Sequence, residues 1–308
     1  MSAHEARNGP WLVALGAALW GTESAWRIPL NERFEHPDVI VFWEHVALVA
    51  FALPFVLPRL GELRRVSRRA LGWLLFSGVA GSAVGAIFFT LALKDGNPTV
   101  VNVVLNIQPV LSTTAAYLLF RDRLAPRFFV WAPIAVIAGM VLVGLLSPTF
   151  DFHVDAGVGY ALVCALFWGL STVAGRGVMV EMSMPLAAGL RVIIGLVSMT
   201  AIVAARGLLH GSDLWPTSAS AHAGTTALYL VALAGASGWI PLLFYFQGLK
   251  LTRASTAGYF EMMQTLAAVA ITWGFFHVGL GPLQVAAAIV LVAAVAMVQR
   301  AQEATALS

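Results

Sequence analysis

Ten apolar stretches, each about as long as a membrane-spanning helix, dominate this sequence. They begin near Trp11, Asp38, Leu71, Asn97, Pro126, Gly157, Met184, Ala223, Ala254 and Gly281. A helix needs about 20 mostly apolar residues to cross the hydrocarbon core of a bilayer. Because the ten stretches occupy most of the 308 residues, they leave no room for a sizeable soluble domain. The sequence therefore predicts an all-α integral membrane protein with ten transmembrane helices.

The composition fits this class. Only 11% of the residues are charged and 59% are hydrophobic, whereas soluble domains carry about 25% charged residues. The net charge of +3 comes from basic residues in short loops, which indicate membrane topology and not a nucleic-acid partner. The single cysteine, Cys164, has no partner for an intrachain disulfide. Since the first apolar stretch carries Glu23 and Arg27, we interpret it as a retained helix and not as a cleaved signal peptide.

Lysine and arginine are concentrated in alternate loops. If the N-terminus is cytoplasmic, thirteen of the 18 basic residues fall on the cytoplasmic side and four on the other. This bias predicts a multi-pass protein of the cell inner membrane with both termini in the cytoplasm. The run "RRVSRR" between helices 2 and 3 fits the same topology signal, and it also suits contact with anionic lipid headgroups.

The second half of the sequence repeats the first. Trp20-Gly21 and Trp168-Gly169 are 148 residues apart, while Lys94 and Lys250, Gln108 and Gln264, and Pro126 and Pro282 are each 156 apart. We divide the chain into five-helix halves at 1–150 and 151–308. Because five is odd, the second half enters the membrane from the opposite side. Inverted repeats of this kind are typical of alternating-access transporters, which bind substrate between the halves near the midplane.

These features resemble the drug/metabolite transporter superfamily, EamA type, over essentially the whole chain. The Trp-Gly pairs in helices 1 and 6 and the small-residue and proline patterns of helices 4 and 9 carry the resemblance. Within the superfamily the chain looks most like the YddG-type exporters of aromatic amino acids. The resemblance implies a central cavity lined mainly by helices 1, 3, 4, 6, 8 and 9. One departure concerns the arginine expected early in helices 2 and 7, since Arg191 fills it in helix 7 but Trp43 stands in helix 2.

Charged residues at membrane depth cost about 2.5–3.5 kcal/mol each on insertion scales, so each one needs a partner or a function. Glu23 and Arg27 are four residues apart and share a helix face. They form either a local ion pair at the outer end of helix 1 or part of the cavity. Glu44 and His45 lie near the outer end of helix 2, as a proton-carrying pair or as part of a water-accessible wall. HExxH is absent, and we expect no metal site.

Helices 4 and 9 supply further polar groups. Asn102 shares a face with Asn106, either to bond a neighbouring helix or to bind the polar end of a substrate. In helix 9, Glu261 and Gln264 share a face from which Tyr259 is displaced. Glu261 can pair with Arg191 only if helix 7 brings the guanidinium to the same depth.

The aromatic residues add an apolar surface. Many of the 10 Trp, 18 Phe and 5 Tyr belong to the lipid-facing belt. Trp20 and Trp168 fit a belt less well, because each lies inside its helix beside a glycine. A pocket of aromatics with a few polar groups suits a small amphipathic ligand. The residues expected to line it are Trp20, Glu44, His45, Asn102, Trp168, Trp239, Tyr245 and Tyr259.

Together these observations predict an exporter of amino acids with aromatic or apolar side chains, or of similar small metabolites. An exporter of drugs or other amphipathic metabolites is the alternative within the same class. No nucleotide-binding GxxxxGK[ST] motif is present, so we expect neither ATP hydrolysis nor a cofactor. No serine or cysteine has a base at helical spacing, which disfavours an intramembrane enzyme. A receptor or structural membrane protein is a further alternative, but neither function requires the inverted duplication.

Overall fold

The computed structural model describes residues 3–122, 124–146, 155–276 and 281–306, and these residues form helices and short connections. We number the ten principal helices α1 to α10 in chain order. The first half contains α1 (Ala3–Trp20, continued by Glu23–Asn31), α2 (Pro37–Val56, followed by a 3₁₀ helix, Leu57–Arg65), α3 (Arg68–Asp95), α4 (Pro98–Leu105 and Gln108–Phe120) and α5 (Phe128–Val143). The second half contains α6 (Ala156–Met179), α7 (Met184–Ala205), α8 (Ala223–Leu251), α9 (Ala254–Glu261 and Met263–Phe276) and α10 (Pro282–Ala306).

The predicted number of helices is confirmed. Within the described residues, seven helices (α2, α3, α4, α6, α7, α8 and α10) are long and apolar enough to cross a membrane. Helix α5 is apolar but shorter, and turns divide α1 and α9 into two segments each. Two short helices, Gly211–Leu214 and Thr217–Ala221, connect α7 to α8.

Helix pairing shows how the two halves are related. The most extensive contacts join α1 to α8, α10 to α5, α7 to α2 and α3 to α6, and α4 packs on both α6 and α9. Exchanging each helix for its counterpart five places away converts the α1–α8 pair into the α6–α3 pair and leaves α2–α7, α4–α9 and α5–α10 unchanged. This pattern is that of two inverted five-helix repeats related by a pseudo-two-fold axis.

Backbone irregularities are duplicated as well. Helix α3 contains a π-helical segment at Ser77–Val84, and α8 contains one at Gly235–Trp239. Helix α4 is interrupted at Asn106 and Ile107, and α9 is interrupted at Met262, which is 156 residues after Asn106. Such interruptions leave backbone groups without helical partners, so at membrane depth they must face protein or a water-filled cavity. Gly81 and Ser82 of the first π-helical segment and Ser237 and Gly238 of the second line a central cavity.

Candidate substrate cavity

A central cavity of about 110 Å³ lies between the two halves. Its wall combines polar and apolar groups, and the cavity has room for several water molecules. The lining residues come from α1, α2, α3, α4, α6, α7, α8 and α9. Those whose side chains can form hydrogen bonds are Trp20, Glu23, Arg27, Glu44, His45, Ser82, Gln108, Trp168, Ser171, Thr172, Arg191, Ser237, Tyr245, Glu261 and Gln264. The six helices implied by the resemblance therefore all contribute, and α2 and α7 contribute as well.

Arg27 is the centre of a buried charge cluster in the first half. Its side chain is fully buried and forms an ion pair with Glu23, one turn earlier in α1. It also donates to Glu44 Oε2 at 2.8 Å and to Thr90 Oγ1 at 2.8 Å. Helix α2 thus brings a second carboxylate to the same guanidinium. The ion pair proposed from the sequence is present, but it belongs to a three-residue cluster that lines the cavity.

His45 follows Glu44 but makes different contacts. Its Nδ1 lies 2.8 Å from the carbonyl oxygen of Val41, and its Nε2 lies 3.2 Å from Ser82 Oγ in α3. A carbonyl oxygen only accepts hydrogen bonds, so Nδ1 carries a hydrogen. Helix geometry separates adjacent side chains by about 100°, and both residues nevertheless border the cavity.

Glu261 is the centre of a second cluster, in the other half. Its Oε1 accepts hydrogen bonds from Thr172 Oγ1 and from the Tyr245 hydroxyl, each at 2.8 Å. Its Oε2 accepts from Gln108 Nε2. Three neutral donors from α4, α6 and α8 therefore surround this carboxylate. Burial of a carboxylate is tolerated when its oxygens are hydrogen-bonded in this way.

Arg191 lies in the same half but does not pair with Glu261. In the described part of the chain its guanidinium forms no ion pair, and its Nε is buried without a hydrogen-bond partner. Its Cζ lies 5.6 Å from the centre of the Phe246 ring. Helix α7 therefore brings the arginine into the cavity without bringing it into contact with the carboxylate of α9.

The two duplicated tryptophans line the cavity from different helices. The Trp20 ring packs on Tyr245 with a centroid distance of 4.7 Å. Trp168 packs on Phe89 at 5.1 Å and donates from Nε1 to the carbonyl oxygen of Gly81 at 3.1 Å. That carbonyl lies in the π-helical segment of α3. Each indole is half-buried, so each presents surface to the cavity.

The glycine after each tryptophan allows close helix packing. A Cβ on Gly21 would lie 2.7 Å from the carbonyl oxygen of Gln264 in α9, and a Cβ on Gly169 would lie 3.2 Å from that of Gln108 in α4. The Trp-Gly pairs thus place α1 against α9 and α6 against α4. The two glutamines at these contacts are the pair separated by 156 residues.

Nine sequence-predicted residues border this cavity. Five of them, Trp20, Glu44, His45, Trp168 and Tyr245, are among the eight expected to do so, and the other four are the charged residues Glu23, Arg27, Arg191 and Glu261.

The remaining three are not among the residues that line this cavity. Asn102 donates from Nδ2 to the carbonyl oxygen of Pro98 at 2.7 Å, in its own helix. Trp239 is buried and packs on Phe55 of α2 with a centroid distance of 5.5 Å. Tyr259 packs on Phe128 and lines a separate apolar pocket between α4, α5 and α9. Asn102 and Tyr259 lie on other faces of their helices than Gln108 and Glu261.

Sequence reasoning also missed lining residues. Gln108 and Gln264 both border the cavity, and their spacing of 156 residues was a signal for a symmetric role. Ser171 and Thr172 border it too. Serine and threonine are common in membrane helices, where their hydroxyls bond to the preceding turn, so no sequence signal separated these two from the others.

A bundle of ten helices with inverted halves and a central cavity lined by both halves defines a membrane transporter of small molecules. The EamA-like transporter family matches the chain twice, over residues 7–145 and 155–300. The chain therefore belongs to this family.

Two further similarities agree with the family assignment. The chain is 25% identical over 305 residues to the riboflavin transporter ImpX of Fusobacterium nucleatum, covering 95% of this chain and 98% of that protein. A solved structure titled "Crystal structure of protein" has the same fold, with a TM-score of 0.71 and 19% identity over 96% of both chains.

Proposed function

We propose that this transporter exports amino acids with aromatic or apolar side chains by alternating access between its two five-helix halves, with the division near residue 150. The observation that carries the proposal is that Trp20 and Trp168, at duplicated positions, both border one cavity. An aromatic pair contact contributes about 0.5–1.5 kcal/mol beyond burial of the area. Two indoles on opposite helices therefore favour an aromatic substrate.

The charges around the cavity favour a substrate that carries both signs. Glu23, Glu44 and Glu261 border it together with Arg27 and Arg191. The ammonium group of an amino acid suits carboxylates and indole faces, and its carboxylate suits a guanidinium. A substrate with several phosphate charges is disfavoured, because three carboxylates would repel it.

A flavin is the second candidate, and the riboflavin transporter from Fusobacterium is the observation that favours it. A fused aromatic ring system also suits two indoles, and neutral hydrogen-bonding groups on its edge suit Gln108 and Gln264. A drug-like or other amphipathic metabolite would use the same aromatic surface.

Both candidates are tested by one experiment with purified protein in proteoliposomes. Radiolabelled phenylalanine, tryptophan, threonine and riboflavin are loaded separately, and release is measured against protein-free liposomes. We expect phenylalanine and tryptophan to be released faster than threonine. Release of riboflavin alone would replace the amino-acid proposal with the flavin one. If none of the four compounds were released faster than from protein-free liposomes, both proposals would be contradicted.

The proposed orientation has cytoplasmic termini in the cell inner membrane, supported by the bias of thirteen basic residues to four. Gly61 is a suitable reporter, since a side chain there meets nothing within 4 Å, while the native Cys164 is buried. We expect Gly61→Cys to resist an impermeant thiol reagent in intact cells and to react after lysis. Reaction in intact cells would reverse the topology.

A further inference from the structure

Arg191 differs from every other charged group that borders the cavity. Glu23, Arg27 and Glu44 form one cluster, and Glu261 accepts hydrogen bonds from three side chains. Arg191 is 9% exposed, and its Nε has no hydrogen-bond partner. A guanidinium carries five N–H donors, so most of its capacity is unused within the described residues. Glu261 attracts this cation from across the cavity, but no described carboxylate contacts it. A buried cation without a contacting anion is costly, and a bound anion would reduce that cost.

The surroundings hold the guanidinium at the cavity wall. Phe246 lies under its plane with Cζ 5.6 Å from the ring centre. Gly81 lies beside it, where an added Cβ would approach Arg191 Nη2 to 2.8 Å and Ser171 Oγ to 2.1 Å. The absence of a side chain at Gly81 thus leaves space for the arginine against the π-helical segment of α3. An aromatic ring on one side and a glycine on another leave the cavity as the open direction.

Arg27 provides an internal comparison. It also borders the cavity, but it donates to Glu23, Glu44 and Thr90. Two carboxylates already satisfy its charge. An incoming anion at Arg27 would have to displace one of them, whereas among the described residues no carboxylate lies within hydrogen-bonding distance of Arg191.

We propose that Arg191 binds a carboxylate group of the substrate, through two parallel N–H donors. This inference deepens the proposed function, because it rests on the central cavity being the substrate site. One carboxylate matches one guanidinium in charge and in planar geometry. Glu261, which faces the same space without touching Arg191, would then lie on the side of the substrate away from its carboxylate.

The test compares two ligands of nearly the same shape that differ in charge. Phenylacetate carries the carboxylate, and phenylacetamide is its neutral isostere. Equilibrium binding to detergent-purified protein is measured for wild type, Arg191→Gln, Arg191→Lys and the control Arg300→Gln. Arg300 is exposed on α10, so its substitution removes the same charge outside the cavity.

We expect wild-type protein and Arg300→Gln to bind phenylacetate about 10- to 100-fold more tightly than phenylacetamide, which is the range for hydrogen bonds to charged groups. Arg191→Gln should abolish this preference and retain phenylacetamide binding. Arg191→Lys should keep part of the preference, because it keeps the charge and loses the planar fork. If Arg191→Gln fails to fold, the wild-type and Arg191→Lys measurements still decide the matter.

Several results would overturn the inference. They are equal binding of phenylacetate and phenylacetamide by wild-type protein, an undiminished preference in Arg191→Gln or Arg191→Lys, and displacement of phenylacetate by equimolar chloride. Failure of the two proposals is distinguishable. If carboxylate binding depends on Arg191 but amino acids are not transported, only the proposal of an amino-acid substrate is contradicted. If phenylalanine is transported and Arg191→Gln leaves the rate unchanged, only the proposal that Arg191 binds the substrate carboxylate is contradicted.

Discussion

Glu181 accepts two hydrogen bonds from Ser67, one from the backbone N–H and one from the hydroxyl, each at 2.7 Å. Ser67 precedes α3 in the first half, and Glu181 lies between α6 and α7 in the second. The reciprocal contact is also present, since Glu62 accepts from the backbone N–H of Ser183 at 3.1 Å and from its hydroxyl at 2.9 Å. Two glutamates thus join the halves on the membrane face that carries the "RRVSRR" loop.

We expect Glu181→Ala to lower the melting temperature in detergent and to change the transport rate, because it removes one of the contacts that join the halves on this face. Glu62→Ala should act in the same direction. Effects of the double variant that equal the sum of the single effects would show that the two contacts are energetically independent.

The contribution of Glu181 should depend on pH. The hydrogen bonds from Ser67 lower the pKa of this carboxyl below its ordinary value of 4.5. A lowered pKa in the folded state gives a stabilisation that is present above the ordinary value and is lost as the pH falls through the lowered one. The difference in melting temperature between wild type and Glu181→Ala should therefore shrink below pH 4.5. A difference that grows with acidification would contradict this assignment.

Trp20→Ala and Trp168→Ala should each weaken transport of phenylalanine about two- to twelve-fold relative to threonine, because each removes an aromatic contact surface in the cavity. The measurement is the ratio of phenylalanine to threonine release from proteoliposomes. Trp11→Ala is a control in the same helix as Trp20, since Trp11 is 48% exposed and does not border the cavity. An unchanged ratio in both variants would indicate that the indoles only pack against helices.

Gly21→Ala should destabilise the protein by about 1–3 kcal/mol through overpacking. The added Cβ would lie within 2.8 Å of Gln264 O, Ala267 Cβ and Ala268 N, and two of these are backbone atoms. Gly169→Ala should cost less, because its nearest contacts would be at 3.2–3.3 Å. Gly72→Ala, with nothing within 4 Å, is the neutral control. Equal melting temperatures for all three variants would show that the α1–α9 contact can relax.

Arg27→Met should cost about 3–5 kcal/mol of stability, the usual cost of removing one partner from a buried ion pair. It leaves Glu23 and Glu44, each 7% exposed, without their shared cation. Denaturation in detergent micelles measures the effect, and Arg69→Met is the control because Arg69 is exposed. A similar effect of both substitutions would show that Arg27 has no special structural role.

Asn102→Leu should leave transport unchanged, because the Asn102 amide bonds to Pro98 in its own helix and lies outside the cavity. Gln108→Leu should reduce transport, since Gln108 borders the cavity and donates to Glu261. The two substitutions are made in the same helix and are compared by substrate release per amount of folded protein. The opposite ranking would place the functional face of α4 at Asn102.

Hydropathy, the spacing of Trp20 and Trp168, and the spacing of Gln108 and Gln264 together predicted ten helices in two inverted halves. The number of helices depends on the free energy of placing each stretch in a bilayer, and the inverted halves follow from duplication along the chain. Both properties can therefore be predicted from the linear sequence without knowledge of helix packing. The i, i+4 pair Glu23–Arg27 was predictable for the same reason, because helix geometry alone brings the two side chains together.

Only the tertiary structure decided which helices supply the partners. Glu44 reaches Arg27. Glu261 accepts hydrogen bonds from Gln108, Thr172 and Tyr245, whereas Arg191 forms no ion pair with any residue that the structure describes. These outcomes depend on the rotation and depth of separate helices, which interhelical packing sets and apolar sequence hardly encodes. Asn102 shows the limit, because its amide bonds within α4 where the sequence left a substrate contact open. The chain alone determined its helices and their symmetry, and packing between the halves determined which polar groups meet in the cavity.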